Sequence, residues 1–94
     1  MRINIMKKSK NEMKIEIEGE GHTFCNLLQH ALLEDKSVEM AGYDIPHPLV
    51  AKPVLHLRTR ADRSPERALS KALDRIDQMT NEFLKEFEKA TKPQ

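Results

Sequence analysis

Residues 19–49 read GEGHTFCNLLQHALLEDKSVEMAGYDIPHPL, and the rest of the chain is organised around this stretch. Five apolar residues in it recur at i, i+3, i+4, i+7 and i+8, which predicts an amphipathic helix with one apolar face: Phe24, Leu27, Leu28, Ala31 and Leu32. We expect this helix to cover residues 23–34, with the Thr23 hydroxyl as its N-terminal cap. Alternating apolar and polar residues then predict a strand over residues 37–43.

Three further strands are predicted on either side of this unit. Apolar and polar residues alternate over residues 2–6, 12–18 and 54–60, and the first two segments are joined by a short polar stretch typical of a hairpin turn. The helix between the second and third strands has to lie on its own sheet to bury its apolar face. We therefore expect the 94 residues to form a single domain of four strands and two helices.

The second predicted helix begins at Ser64-Pro65-Glu66, which combines a capping serine, a proline at the first helical position and an acid in the first turn. Nothing breaks the pattern until about Ala90. One apolar stripe runs along this helix: Leu69, Ala72, Leu73, Ile76, Met79, Phe83, Leu84, Phe87 and Ala90.

This helix is too long for the sheet beneath it. About 26 helical residues span about 39 Å, whereas strands of about 6–7 residues span about 20–23 Å. A row containing Phe83, Leu84 and Phe87 would be left over, and such a row is unusual on the surface of a monomer. The excess predicts a protein–protein interface; the alternative is that the helix bends or ends early and returns the phenylalanines to the core.

The charge balance and the low aromatic content argue against a direct contact with nucleic acid. Sixteen Lys and Arg stand against fifteen Asp and Glu, and the aromatic residues are three Phe and one Tyr. Four arginines, Arg58, Arg60, Arg63 and Arg67, cluster near a strand end and a helix start, where they form either a contact for an acidic partner or a solvated rim. A single cysteine excludes an internal disulfide and indicates the cytoplasm, and no apolar run approaches the ~20 residues of a membrane span.

Catalytic and metal chemistry is weakly supported. Cys25 with His22 or His30 is a conceivable nucleophile–base pair, but no third orienting group is evident, and a small buried helix cysteine is the better interpretation. The spacing of a zinc site is also missing among His22, Cys25, His47 and His56. We expect no catalytic residues, no metal and no cofactor in this chain.

The segment HTFCNLLQHALL, followed by VEMAGYDIPHPL, PVLHLRTR and a long terminal helix, resembles the small alpha-like subunits of archaeal and eukaryotic RNA polymerases. Within that family it is most similar to the archaeal members called subunit L. The resemblance runs over residues 12–90, and Cys25 stands where the family usually has glycine or another small residue.

The resemblance implies an α+β dimerisation domain, with a four-stranded, mainly antiparallel sheet and two helices packed on one face, like the N-terminal domain of the bacterial alpha subunit. It implies a non-catalytic subunit that forms a heterodimer with the larger alpha-like subunit, which is called D in archaea. The two together form the assembly platform for the large catalytic subunits. No direct contact with nucleic acid or membrane is expected.

Carried onto this sequence, the resemblance and the stripe together give the expected partner interface: Phe24, Leu27, Leu28, Ala31, Leu32, Ile76, Met79, Phe83, Leu84 and Phe87. A candidate docking turn comprises Pro46, His47, Pro48 and Leu49. Two other hypotheses stay open at this point, a homodimeric protein-binding module unrelated to polymerase and a small Cys/His hydrolase.

Overall fold

Four strands and two helices form the part of the chain that the computed structural model describes, residues 1–47 and 49–92. The elements follow in this order: β1 (Arg2–Lys8), β2 (Glu12–Glu18), α1 (His22–Leu33), β3 (Val38–Asp44), β4 (Val54–Thr59) and α2 (Pro65–Thr91). Each predicted element is present, and the α+β class is confirmed.

The four strands form one antiparallel sheet in the order β1-β2-β4-β3. β1 and β2 are the predicted hairpin, in which Ile3 pairs with Ile17 and Ile5 with Ile15. A register shift between Ile5 and Lys7 marks a bulge. Because the strand order is β1-β2-β4-β3, β1 and β3 are the edge strands, and β2 and β4 carry the centre of the core.

The core lies between one face of the sheet and the two helices. Alternate residues of the central strands are buried in it: Met13, Ile15, Ile17, Leu55 and Leu57. α1 adds Cys25, Leu28, Ala31 and Leu32 to the same cluster, and α2 adds Ala68 and Ala72. Because all of these side chains belong to one cluster, both helices pack on the same face of the sheet.

The two helix starts differ in how they are capped. Ser64 caps α2 as predicted, since its hydroxyl accepts a hydrogen bond from the backbone N–H of Arg67 at 3.3 Å. The predicted cap of α1 is wrong: the helix begins at His22, so Thr23 lies inside its first turn and the cap position belongs to Gly21. No side chain caps α1, and its first helical hydrogen bond runs from the N–H of Cys25 to the Gly21 carbonyl at 3.3 Å.

The turn from α1 into β3 is held by Asp35. One oxygen of its buried carboxylate accepts hydrogen bonds from both the backbone N–H and the hydroxyl of Ser37, each at 2.8 Å. Burial acts to raise the pKa of this carboxyl, but the bonds from Ser37, with the nearby charges of Lys71 and Arg75, outweigh it and leave the pKa lowered. The turn fixes α1 relative to the edge of the sheet.

Candidate protein-protein interface

α2 leaves the core about halfway along its length. Its first turns rest on the sheet through Ala68 and Ala72, which are buried, and Ile76 is half-buried against the core. Residues 77–92 are all exposed. The helix continues to Thr91 and does not return its phenylalanines to the core, so the overhang expected from the sequence is present in this structure.

The overhanging half carries a continuous apolar surface, which we call the distal stripe: Met79, Phe83, Leu84 and Phe87. These side chains are 52%, 72%, 52% and 55% exposed. The rings of Phe83 and Phe87 stack on each other with centroids 6.2 Å apart and planes inclined by 10°. Large apolar side chains grouped in this way are typical of a surface that contacts another molecule.

The five predicted interface residues of α1 lie elsewhere. Leu28, Ala31 and Leu32 are buried in the chain's own core, at 2%, 8% and 0% exposed. Phe24 is half-buried against the core, and Leu27 is half-buried as well. Of these five, Phe24 and Leu27 keep the most exposed surface, and Leu28, Ala31 and Leu32 hold α1 on the sheet.

A groove between the helices connects α1 with the distal stripe. It has a volume of about 320 Å³, and residues of both helices line it: Leu27, His30, Ala31, Glu34, Arg75, Ile76 and Met79. The Arg75 guanidinium donates a hydrogen bond to the carbonyl of Ala31 at 3.0 Å and so fixes the crossing of the helices. Ile76 and Met79 thereby join the groove to the overhanging surface.

A second apolar surface, which sequence reasoning did not find, lies on β1. Ile3 and Ile5 are 50% and 61% exposed. The alternation of these isoleucines with polar residues predicted a half-buried strand. No local signal indicated that both helices would leave this strand uncovered.

The candidate docking turn is only partly described. Pro46, His47 and Leu49 are exposed, and Pro48 lies outside the described residues. A hydrogen bond from the N–H of Val50 to the carbonyl of His47 at 2.9 Å shapes the turn. The exposed Leu49 lines a shallow cavity beside the start of α1.

Two parts of the sequence motif meet beside this cavity. The His22 ring nitrogen Nδ1 and the Tyr43 hydroxyl are 2.9 Å apart, within hydrogen-bond distance. The rings also meet edge to face, with centroids 5.7 Å apart. This contact ties the start of α1 to β3, so both residues have a structural role in joining the two elements.

Cys25 has the environment of a core residue. Its thiol is fully buried, and burial, together with the charge of Glu20, raises its pKa. Because the thiolate is the nucleophile, a raised pKa argues against the hydrolase hypothesis. Within residues 1–47 and 49–92, no three His, Cys, Asp or Glu side chains are grouped as metal ligands.

The four arginines of the predicted cluster lie in two separate places. Arg60, Arg63 and Arg67 line a cavity of about 530 Å³ at the start of α2. Arg58 instead lies near Glu12 and Glu39, at 3.2 and 3.5 Å. Lys7 and Arg58 lower the pKa of Glu12.

Neither described helix is long and apolar enough to cross a membrane.

Comparison with known proteins gives the interface its context. The family model described as RNA polymerase Rpb3/Rpb11 dimerisation domain matches residues 12–86. The chain is 41% identical over 92 residues to DNA-directed RNA polymerase subunit Rpo11 of Methanocella arvoryzae, covering 98% of this chain and 99% of the relative. It is 38% identical over 94 residues to Rpo11 of Pyrococcus furiosus, covering 98% and 99%.

A solved structure shares the fold. The crystal structure of DNA-directed RNA polymerase subunit L from Thermoplasma acidophilum superposes with a TM-score of 0.83, over 95% of this chain and 87% of that chain. Its sequence is 24% identical, so this likeness shows the fold alone.

These findings correct the name that the resemblance suggested. The relatives that match at 37–41% identity are Rpo11 proteins, whereas the label subunit L comes only from the structure that supports the fold. The assignment to subunit L is therefore withdrawn in favour of the broader family that the model match and the relatives share. The chain belongs to the RNA polymerase Rpb3/Rpb11 dimerisation domain family.

Proposed function

We propose that this chain is a non-catalytic subunit of a cytoplasmic DNA-directed RNA polymerase. It forms a heterodimer with the larger alpha-like subunit, the one called D in archaea, and the heterodimer is the platform on which the large catalytic subunits assemble. The names of the relatives and of the family domain support the polymerase context. The observation that carries the proposal is the exposed distal stripe on α2.

Burial of the distal stripe is large enough to drive pairing. Fully burying a large apolar side chain contributes about 1.5–3 kcal/mol. Because the four side chains are half to three-quarters exposed, covering them contributes about 3–7 kcal/mol. That is comparable to the free energy of unfolding of a whole small domain, about 5–15 kcal/mol. A partner chain is therefore a major source of stability for this fold.

The proposed interface has a centre and a margin. The distal stripe is its centre, and the groove with Leu27 and Ile76 is its continuation toward the core. Phe24, half-buried against the core, is assigned to its margin. Leu28, Ala31 and Leu32 support the interface from beneath by holding α1 on the sheet. We assign the turn with Pro46, His47 and Leu49 to contacts of the heterodimer with other polymerase subunits, since it is exposed at the end of the sheet where α1 starts.

Co-expression with the larger alpha-like subunit tests the proposal. We expect a one-to-one complex whose mass, measured by light scattering after gel filtration, equals the sum of the two chains. Separate elution at micromolar concentration would overturn the proposal. A tight homodimer that does not exchange with the larger alpha-like subunit would instead support a self-sufficient binding module.

A further inference from the structure

A cavity rich in positive charge lies where the turn before β3, the segment after β4 and the first turns of α2 meet. It has a volume of about 530 Å³. The side chains of two acids, Asp35 and Asp62, line it. Five cationic side chains line it as well, and we call them the basic cluster: Lys36, Arg60, Arg63, Arg67 and Lys71. Since the whole chain has a formal net charge of only +1, positive charge is concentrated at this place.

The charges of the basic cluster are poorly neutralised by the chain itself. Within residues 1–47 and 49–92, none of its five cations forms a salt bridge. Arg58, which lies outside the cluster, has carboxylates at 3.2 and 3.5 Å. The two acids of the cavity offset at most two of the five charges, and the carboxylate of Asp35 is buried and bonded to Ser37. An anion that enters the cavity therefore relieves repulsion between like charges.

The loop between β4 and α2, which carries part of the basic cluster, is held in one conformation. The side-chain amide of Asn11 donates to the carbonyl of Ala61 at 2.7 Å. The Thr59 hydroxyl donates to the carbonyl of Arg63 at 2.6 Å. Ala61 has a φ of 42°, in the left-handed region that residues other than glycine rarely adopt, and these bonds hold it there. Arg60 Nε donates to a carbonyl of the turn before β3 at 3.1 Å. A ligand therefore meets cations on a backbone that is already positioned, which reduces the entropy lost on binding.

We propose that the basic cluster binds a short acidic segment of another protein through two or more carboxylates. Three of the five cations are arginines, whose planar guanidinium groups bind carboxylates in a bidentate manner. Arg67 and Lys71 lie about one turn apart on α2, about 6 Å along its axis. Glutamates one turn apart on a helical segment have the same spacing, so two of them can be held at once.

The surroundings of the basic cluster favour an acidic protein segment over nucleic acid. Duplex DNA carries one negative charge per about 1.7 Å of its axis, so its binding surfaces are extended basic faces or stripes. On α2 the basic cluster ends at Lys71, and the acids Asp74 and Asp77 follow it. Among the described residues, no aromatic side chain on which a base could stack lines the cavity.

The basic cluster and the distal stripe lie at opposite ends of α2. Arg67 and Phe83 are separated by about 24 Å along the helix axis. An acidic segment can therefore bind while a partner chain covers the distal stripe. The site goes beyond the proposed function, because it provides for a third chain and does not depend on pairing.

Fluorescence anisotropy with an acidic peptide tests the proposal. The probe is an end-capped peptide of alanine and glutamate, with its glutamates at i and i+4 and a neutral dye, titrated with the full chain at low salt, where exposed charges are little screened. We expect Arg63→Gln/Arg67→Gln to bind the peptide at least about tenfold more weakly than the unaltered chain, with an unchanged urea midpoint. The matched control, Lys85→Gln/Lys89→Gln, removes the same charge from exposed positions of distal α2 and should change the affinity by less than about twofold.

A single-stranded oligonucleotide of equal charge is titrated in parallel. We expect it to bind more weakly than the peptide. Tighter binding of the oligonucleotide, lost in Arg63→Gln/Arg67→Gln, would overturn the proposal in favour of a nucleic-acid site. Absence of peptide binding, or peptide binding that fell equally in the two double variants or in neither, would also overturn it. Because the isolated chain is titrated, each of these outcomes leaves the proposed pairing with the larger alpha-like subunit standing.

Discussion

The two halves of α2 carry the same apolar pattern but contact different surroundings. In the proximal half, Ala68 and Ala72 are 2% and 1% exposed and let the helix approach the sheet closely. In the distal half, Phe83 and Phe87 occupy corresponding positions of the stripe and are exposed. Small residues stand where the helix comes closest to the sheet, with the larger Leu69 and Ile76 packed beside them against the core. Past Ile76 the same face carries large side chains with no part of the described chain beneath them. Periodicity therefore gives the apolar face of the helix, but not what covers it.

Charged residues introduced into the distal half of α2 should weaken binding of the partner more than any other change proposed here. Phe83→Asp/Phe87→Asp places two carboxylates in the proposed interface, and loss of two large apolar contacts alone costs about 3–6 kcal/mol of binding free energy. Affinity for the larger alpha-like subunit, measured by titration calorimetry, should fall at least about a hundredfold. The free energy of unfolding of the isolated chain, measured with urea, should stay within about 0.5 kcal/mol of its original value.

The matched control is Gln78→Asp/Asn81→Asp, which adds the same two carboxylates at exposed positions on the opposite side of α2. It should leave the affinity within about threefold of the original value. If the phenylalanine variant lost stability and binding to the same extent, the distal half would belong to the chain's own core and the contrast between the halves would disappear.

The proximal half should respond in the opposite way. Ala72→Leu inserts a larger side chain where the helix meets the sheet, and such overpacking costs about 1–3 kcal/mol of folding stability. Urea unfolding should show this loss, while the remaining folded protein should bind the larger alpha-like subunit normally. Ser70→Leu, on an exposed position of the same half, should be nearly neutral. A proximal variant that folds normally but no longer pairs would reverse the assignment of the two halves.

Removal of the Ser64 cap, at the start of the proximal half of α2, should lower the folding stability by a smaller amount. Ser64→Ala deletes the acceptor for the N–H of Arg67 and is expected to lower the free energy of unfolding by about 1 kcal/mol. Thr91→Ala at the distal end removes a hydroxyl that donates only to the helix's own carbonyls and should change stability by a few tenths of a kcal/mol. Equal losses from both ends would show that the distal end is as firmly held as the proximal one.

The weakest of these effects depends on pH. The folded pKa of Asp35 is lowered, and Ser37 on its own turn and Lys71 and Arg75 on proximal α2 face it. Its contribution to stability is therefore complete above its unfolded pKa of about 3.9 and is lost as the pH falls through the folded value. Asp35→Asn should lower the urea midpoint slightly at pH 7 and make its decline between about pH 4 and pH 2 less steep. If the urea midpoint of Asp35→Asn fell with decreasing pH as steeply as that of the original chain, Asp35 would make no pH-dependent contribution to stability.

Much of this fold follows from local sequence signals. The hairpin, the four strands and the start of α2 at Ser64 follow from alternation and capping, because these depend on neighbours in the chain. The overhang follows from a comparison of lengths. The Thr23 cap is wrong because the cap position of α1 is Gly21, two residues before the one that the pattern suggests.

Other features depend on contacts between distant residues, which periodicity does not record. The position of β4 between β2 and β3 is one, and it decides which strand is left at the edge. The burial of Leu28, Ala31 and Leu32 in the core is another, because an apolar helix face looks the same whether a sheet or a second chain covers it. The exposure of Ile3 and Ile5 follows from both, and so it could be seen only in the folded structure.

Hydrogen exchange along α2 is the sharpest test of whether a second chain covers its distal half. In the monomeric isolated chain, we expect amides of residues 80–91 to exchange much faster than those of residues 68–76, because only the proximal turns are packed on the sheet. Binding of the larger alpha-like subunit should then slow exchange in residues 80–91 by at least about a hundredfold. Distal amides that were already as protected as the proximal ones in the monomer, or that stayed fast in the complex, would contradict this assignment.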